Sequence, residues 1–315
     1  MINHHPSQVY CQAVISRREG PHFVGALGIM GLFASLSISF PSVAFAAEEG
    51  LGGSVAKRPV PSKAPPVPDT STLGTPTWGD EFDYTGAPDP TKWGYEVGFV
   101  RNGEKQYFTN DRRENARVEG GNLVITARKE DFQENGKSAI YTSASMTTRK
   151  TQAFIYGTFE IRAKFTSGRG NWPSIWFLGN DEDPLGWPTC GEIDLMEHVG
   201  YEPSLLHFTI HTKKYNHAAR TAIGKSVQLP EVANTWHTFI LQRNAHRLDM
   251  YLNGNPVFSY ENDGTGTDAW PYDKPFHFIT NVAIGGAWGG LKGIDDTTLP
   301  HTMDIDYVRY WKSER

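Results

Sequence analysis

Between Trp78 and Trp311 the apolar residues recur at every second position, and no stretch carries a sustained helical stripe. YGTFEIRAKF sets Phe159, Ile161, Ala163 and Phe165 against Thr158, Glu160, Arg162 and Lys164. That alternation puts one set on each face of a strand. RLDMYLNGNPVFSY alternates through Leu248, Met250 and Leu252 and then reaches Asn253-Gly254, a strong hairpin signal. NLVITARKE, WHTFILQR, FHFITNVAIGG and MDIDYVRYW read as further strands. Many strands, turn chemistry between them and no internal repeat predict one all-β antiparallel sandwich of about 235 residues. Nine Trp, thirteen Tyr and seventeen Phe supply its core and leave aromatics for a binding surface.

The residues before this region predict export. Arg17 and Arg18 precede an apolar run from Phe23 to about Phe45, which ends in Ala44-Phe45-Ala46, a small-x-small cleavage pattern. Residues 1–46 are therefore expected to be a signal peptide, with an N-terminal membrane anchor as the alternative if the run stays uncleaved. Residues 47–76 shift to Pro, Gly, Ser and Lys and read as a semi-rigid linker to a domain at 77–313. Cys11 would leave with the signal, so Cys190 remains without a disulfide partner and packing alone must hold the fold. A net charge of −5 with scattered Lys and Arg gives no basic footprint for nucleic acid.

WPTCGEIDLMEHVG, residues 187–200, places Glu192, Asp194 and Glu197 among Ile193, Leu195, Met196 and Val199. As a helix it would turn Glu192 and Asp194 to opposite sides. As a strand it puts them on one face, and Glu197 joins them only if a β-bulge inserts a residue at Leu195-Met196. Four ladder steps would then separate the Glu192 and Glu197 Cα atoms by about 13 Å, with the carboxyls leaning to roughly 5–6 Å. That spacing suits a retaining glycosidase, one carboxylate attacking the sugar and the other protonating the leaving oxygen. Asp194 between them would orient Glu192, and crowding would keep one carboxyl protonated near neutral pH. A calcium loop would envelop its ion rather than present its acids in a row.

Flat aromatic faces suit the C–H faces of sugar rings. Trp172, Trp176, Trp187 and Trp288 lie in GRGNWPSIWFLG, LGWP and GGAWGG. Trp288 among glycines and Trp172 before a proline look most like site residues, whereas parity leaves Trp176 equally suited to the core. His207 and His211 share a face of a strand in LLHFTIHT, and a zinc site there would need further ligands. A hydrogen-bonding role in a cleft fits them better. His198 should point away from Glu197, a structural position, and Cys190 has no paired histidine to activate it.

GEIDLMEH resembles the E-x-D-x-x-E signature of glycoside hydrolase family 16. The resemblance runs in order through WGDEFDY, RNGEKQYFT, ENARVEGGNLVITARKE, YGTFEIRAKF, RGNWPSIWFLG, NVAIGGAWGG and IDYVRYW. GWPTCGEIDLMEHVGY, IHTKKYNH and GGLKGIDDTTLP are most similar to bacterial laminarinases, endo-acting β-1,3-glucanases. The resemblance implies a β-jelly-roll sandwich with a substrate cleft on its concave face. It implies Glu192 as nucleophile, Asp194 as its orienting partner and Glu197 as acid/base. Asn102, Glu104, Trp172, Trp187 and His211 match substrate-binding positions, to which Trp288 is added from its glycine-rich setting. Catalysis is expected to need no cofactor, while a structural calcium is implied at Glu81, the Gly121 carbonyl and Asp306.

The expected protein is a secreted, monomeric, retaining endo-β-1,3-glucanase acting on laminarin-type polysaccharide. Other glycanases of the same family, acting on mixed-linkage glucan, agar or carrageenan, share the acids and differ in loops. A sandwich that only binds sugars would be expected to have lost one of the acids, and all three are present.

Overall fold

Two sheets pack face to face in the computed structural model, which describes residues 65–313. The expected signal peptide, 1–46, and linker residues 47–64 lie outside the described residues. The strands in chain order are β1 (Trp78–Asp80), β2 (Gly94–Glu96), β3 (Tyr107–Phe108), β4 (Ala116–Glu119), β5 (Asn122–Glu134) and β6 (Lys137–Ser143). They continue as β7 (Ser145–Thr147), β8 (Gly157–Phe165), β9 (Asn171–Gly179), β10 (Glu192–Glu197), β11 (Leu205–His211) and β12 (Ile223–Gln228). The last five are β13 (His237–Arg243), β14 (Arg247–Leu252), β15 (Asn255–Glu261), β16 (Phe276–Ile284) and β17 (His301–Lys312).

One sheet has seven strands in the order β12-β11-β10-β9-β16-β7-β2, all paired antiparallel. The other has ten, with the path β15-β14-β13-β8-β17-β5-β6-β3 and with β1 and β4 added beside β17 and β5. Only β3 with β6 pairs parallel. The fold is the all-β antiparallel sandwich that the alternation predicts, in the jelly-roll form that the resemblance implies. The hairpin at Asn253-Gly254 joins β14 to β15, with φ of 49° and 73° at its two central residues. Only a turn with both φ positive matches the strand twist there, which is why Gly follows Asn.

The core lies between the sheets. Ile175, Phe177, Ile193, Phe208, Ile210 and Phe278 of the seven-stranded sheet meet Ile125, Phe159, Ile161, Phe239, Met250 and Ile305 of the ten-stranded one. Each such side chain fully buried is worth about 1.5–3 kcal/mol before conformational entropy is set against it. A buried core of this extent stabilises the described residues, among which Cys190 is the one cysteine and is free.

Residues 65–76 lie on the outer face of the ten-stranded sheet. Asp69 caps a short 3-10 helix, Thr70–Thr72, and the Thr70 hydroxyl donates to Glu160 on β8. Trp311 Nε1 donates to the Gly74 carbonyl at 2.8 Å, and Tyr251 OH reaches the Pro66 carbonyl at 3.5 Å. This cover explains why Tyr251 and Ile240, which strand parity turns outward, are nonetheless buried.

Candidate active site

The acids are placed by the strands beside them. On β9, Glu192 and Glu197 face Leu178 and Ser174; on β11 they face His211 and His207. Each neighbour advances four residues while β10 advances five, so β10 carries one extra residue. The register shifts fall between Asp194 and Glu197. Leu195 and Met196, consecutive in the chain, both enter the core with no exposed surface. Regular alternation would have sent Met196 outward. Burying both offsets the disrupted ladder and returns Glu197 to the outer face that Glu192 and Asp194 occupy.

Burial dominates the electrostatics of the three carboxyls. It raises Glu192 to about 8, with the charge of Asp194 adding to the effect. It raises Glu197 to about 7, helped by the charge of Glu192. Asp194, 3% exposed, is raised well above the usual carboxylate range by burial and by Glu197. Neighbouring donors pull the other way. Trp172 Nε1 donates to Glu197 Oε1 at 3.0 Å, and the charge of His211 lowers both glutamates. His211 Nε2 lies 3.3 Å from Asp194 Oδ2 and 3.8 Å from Glu192 Oε1. Three acids this close titrate as a group, and near neutral pH they share protons rather than all ionising.

The remaining residues singled out from the sequence divide between wall and floor. Asn102 and Glu104 sit on a loop that runs along the end of β16. Lys105 N donates to the Ile284 carbonyl and Ala287 N to the Asn102 carbonyl, both at 2.8 Å. Glu104 is buried, accepts from Gln106 Nε2 at 2.7 Å and from Asn102 Nδ2 at 3.2 Å, and adds its charge to the surroundings of Glu197. Gly286 allows this close approach, since a Cβ there would lie 2.9 Å from Glu104 Cγ and its φ is +77°. Trp288 follows in the same turn and meets Trp172 edge-on, with ring centres 5.5 Å apart. Trp172 itself is nearly buried, so its N–H on Glu197 is its main offering. Trp187 stands over His211 and His217 at 5.8 and 4.6 Å.

His207 pairs with Glu202 and Ser226 and rests its ring against Trp288. His198 is fully buried, partnered by Ser167 and the Leu205 carbonyl, and burial lowers its pKa to about 4; it is a structural histidine. Cys190 is buried, and burial pushes its thiol up to about 12, which removes it as a nucleophile at ordinary pH.

Several participants escaped the sequence reading. Trp176, directly across from Asp194, lies on the outer face rather than in the core and donates to Asn281 Oδ1 at 2.9 Å. Arg101 sets its guanidinium 4.8 Å over the Trp176 ring and pairs with Glu96, whose other partner is Ser145. Burial opposes the charge on Glu96, but Arg101 and Ser145 hold its carboxyl below the usual range. Tyr272 OH lies 3.2 and 3.3 Å from the carbonyls of Glu192 and His211, fixing the two backbones beneath the acids. Trp176 shares alternation with Trp172, but β9 is buried on both faces, so parity alone leaves its side open. No local pattern signals Arg101 or Tyr272, whose contacts span 75 and 80 residues.

The positions matched to calcium gather at the other sheet. Asp80 pairs with Val308 and Leu123 with Ile305, which carries Glu81 and Gly121 toward Asp306. The Glu81 carboxylate holds Arg309 in two hydrogen bonds of 2.8 and 2.7 Å, and Asp306 holds Arg162 at 2.5 Å. Both carboxylates thus already have cationic partners, which leaves the backbone carbonyls as the fitting part of the donor set.

The family model described as glycosyl hydrolases family 16 matches residues 103–309. A beta-glucanase of Rhodothermus marinus is 44% identical over 245 residues, spanning 75% of this chain and 84% of the relative. The solved laminarinase from Rhodothermus marinus superposes with a TM-score of 0.72 at 40% identity, covering 76% of this chain and 98% of the other. SCLam, a solved non-specific endo-beta-1,3(4)-glucanase, gives a TM-score of 0.72 at 39% identity over 81% and 95% of the two chains.

Proposed function

Because the chain belongs to glycoside hydrolase family 16, we propose that it is an endo-acting β-1,3-glucanase that cleaves with retention by double displacement. The observation that carries the proposal is the bulge, which gathers Glu192, Asp194 and Glu197 on one outer sheet face. In this reading the Glu192 carboxylate attacks the anomeric carbon while Glu197 delivers its proton to the departing glycosidic oxygen. A covalent glycosyl ester on Glu192 results. Glu197, now ionised, takes a proton from water, the water oxygen attacks the anomeric carbon, and the bond to Glu192 breaks. Asp194 hydrogen-bonds and orients Glu192, the two share a proton, and Glu192 attacks in the state in which it is ionised. His211 and Trp172 orient the two glutamates, and Trp187, Trp288, Asn102 and Glu104 line the approach for the sugar chain.

The test is a panel of laminarin, lichenan, curdlan, agarose and carrageenan, scored for released oligosaccharides, with proton NMR of the first product. Cleavage of laminarin with a β-anomer formed first is expected. An α-anomer first would remove the retaining mechanism, and an intact laminarin beside a cut galactan would remove the substrate. Activity on mixed β-1,3/1,4 linkages is the second reading, favoured by the similarity to a non-specific endo-beta-1,3(4)-glucanase.

Two further parts of the reading have separate support. The charged, apolar and small-x-small order of residues 1–46 supports secretion, and the similarity to laminarinases supports a polysaccharide as the partner. A structural calcium at the Glu81 and Gly121 carbonyls would require Asp306 to exchange Arg162 for the ion. Calcium should then raise the melting temperature and a chelator lower it, and Asp306→Ala should abolish that difference.

A further inference from the structure

Hydrolysis does not account for one property of the acid cluster, the donor set that it presents together with His211. Nε2 of His211 and one carboxylate oxygen each from Glu192 and Asp194 lie within 4.8 Å of one another. Among the described residues this is the one such grouping of histidine, cysteine and acid side chains. The edges from Nε2 are 3.3 Å to Asp194 and 3.8 Å to Glu192. A tetrahedral zinc ion at ~2.0–2.1 Å from each donor needs donor–donor edges of about 3.3–3.5 Å. One of the three edges already has that length, and a small rotation of the Glu192 side chain would have to bring its edges to His211 and Asp194, both within 4.8 Å, to the same value.

Asp194 Oδ2 gives the second, independent sign. It is buried, on a residue 3% exposed, and accepts no well-formed hydrogen bond; its charged contact is His211 Nε2 at 3.3 Å, another member of the same donor set. A carboxylate oxygen stripped of water and left without a well-formed hydrogen bond costs free energy that a cation would offset. The frame beneath is fixed, since Glu192 pairs directly with His211 across β10 and β11 and Tyr272 ties their carbonyls. One imidazole with two carboxylates suits zinc and its neighbours rather than calcium, which prefers six to eight oxygens. His207, on the same strand face, bonds Glu202 and Ser226 instead and stays outside the set.

We propose that Glu192, Asp194 and His211 form a binding site for a zinc-class divalent cation that is filled only when the cleft holds no sugar, making the ion a reversible competitor of substrate. Binding of the ion is independent of which polysaccharide is cut. Only its inhibitory consequence rests on the glucanase reading.

The experiment is calorimetric titration of the full chain with zinc chloride, with calcium chloride as control. One zinc site is expected, weakened about tenfold or more by His211→Gln and by Asp194→Asn and unchanged by His246→Gln, an exposed histidine elsewhere. Glu197→Gln keeps all three donors, so zinc titration of that variant with and without a laminarin oligosaccharide reads the competition without turnover. Equal zinc affinity in His211→Gln, Asp194→Asn and the parent would overturn the site. Undiminished zinc binding in the presence of bound oligosaccharide would overturn the competition. Circular dichroism of each variant separates a lost ligand from a lost fold.

Discussion

Glu192 and Glu197 are five residues apart along β10 but four apart when counted on either neighbouring strand. The difference of one is the bulge, and it decides which way Glu197 points. Because side chains alternate with period two, removing a single residue between them reverses that direction.

Deleting Met196 should therefore abolish hydrolysis while leaving Glu192 and Asp194 on the outer face. Met196→Leu keeps both the spacing and the buried volume, so it should retain activity and cost less than about 1.5 kcal/mol. Initial rates on laminarin and thermal melts of the two variants make the comparison. A deletion variant with near-parental rates would show that Glu197 does not depend on the inserted residue.

Glu192→Gln should raise stability, and the gain should grow with pH. In the unfolded chain Glu192 ionises near the ordinary glutamate value of 4.5, whereas in the fold burial and Asp194 hold it protonated to about 8. Between those values the unfolded state releases its proton first, so rising pH destabilises the parent but not the variant. The expected advantage is small at pH 4 and at most about 4 kcal/mol at pH 8, read as a rise of up to roughly ten degrees in melting temperature. A constant offset across that range would contradict the assignment.

Trp172→Phe removes the N–H that stabilises ionised Glu197. Without it the Glu197 pKa should rise. Since Glu197 must be protonated to act as acid, the basic limb of the kcat/KM profile should move to higher pH, while kcat itself falls as the carboxyl loses its orientation. A basic limb that stays in place would separate Trp172 from the control of Glu197.

Arg101→Ala should act at two places. Loss of its positive charge should raise the Glu192 pKa, moving the acid limb of the profile to higher pH. It also leaves Glu96 without its guanidinium, a loss of about 3–5 kcal/mol if the pair behaves as a buried one. Thermal melts and the pH profile measure the two effects separately, and an unchanged acid limb would limit Arg101 to a structural role.

The sandwich was readable from alternation alone because each sheet buries only one face, which imposes period two on strands such as β8 and β14. The bulge was readable for the same reason, since three acids on one face cannot fit an unbroken period. Trp176 could not be assigned because β9 is buried on both sides, so parity gives two faces without saying which is the core. Arg101 over Trp176 and Tyr272 under Glu192 are products of tertiary packing. Their partners are brought together only when distant strands align, so no local periodicity records them. The composition of the Pro-rich stretch reads as a linker through residue 76 and holds no sign that residues 65–76 lie on β8, β14 and β17.

That covering stretch also sets an orientation. Residues 65–76 lie on the outer face of the ten-stranded sheet, while the acids occupy the outer face of the other sheet, on the opposite side of the core. An attachment made through the chain just before Pro65 would therefore hold the molecule by its back. Immobilised on a bead that way, the protein would present its cleft to a polymer in the medium, whereas coupling through Lys213, exposed beside His211, would turn the same cleft against the support.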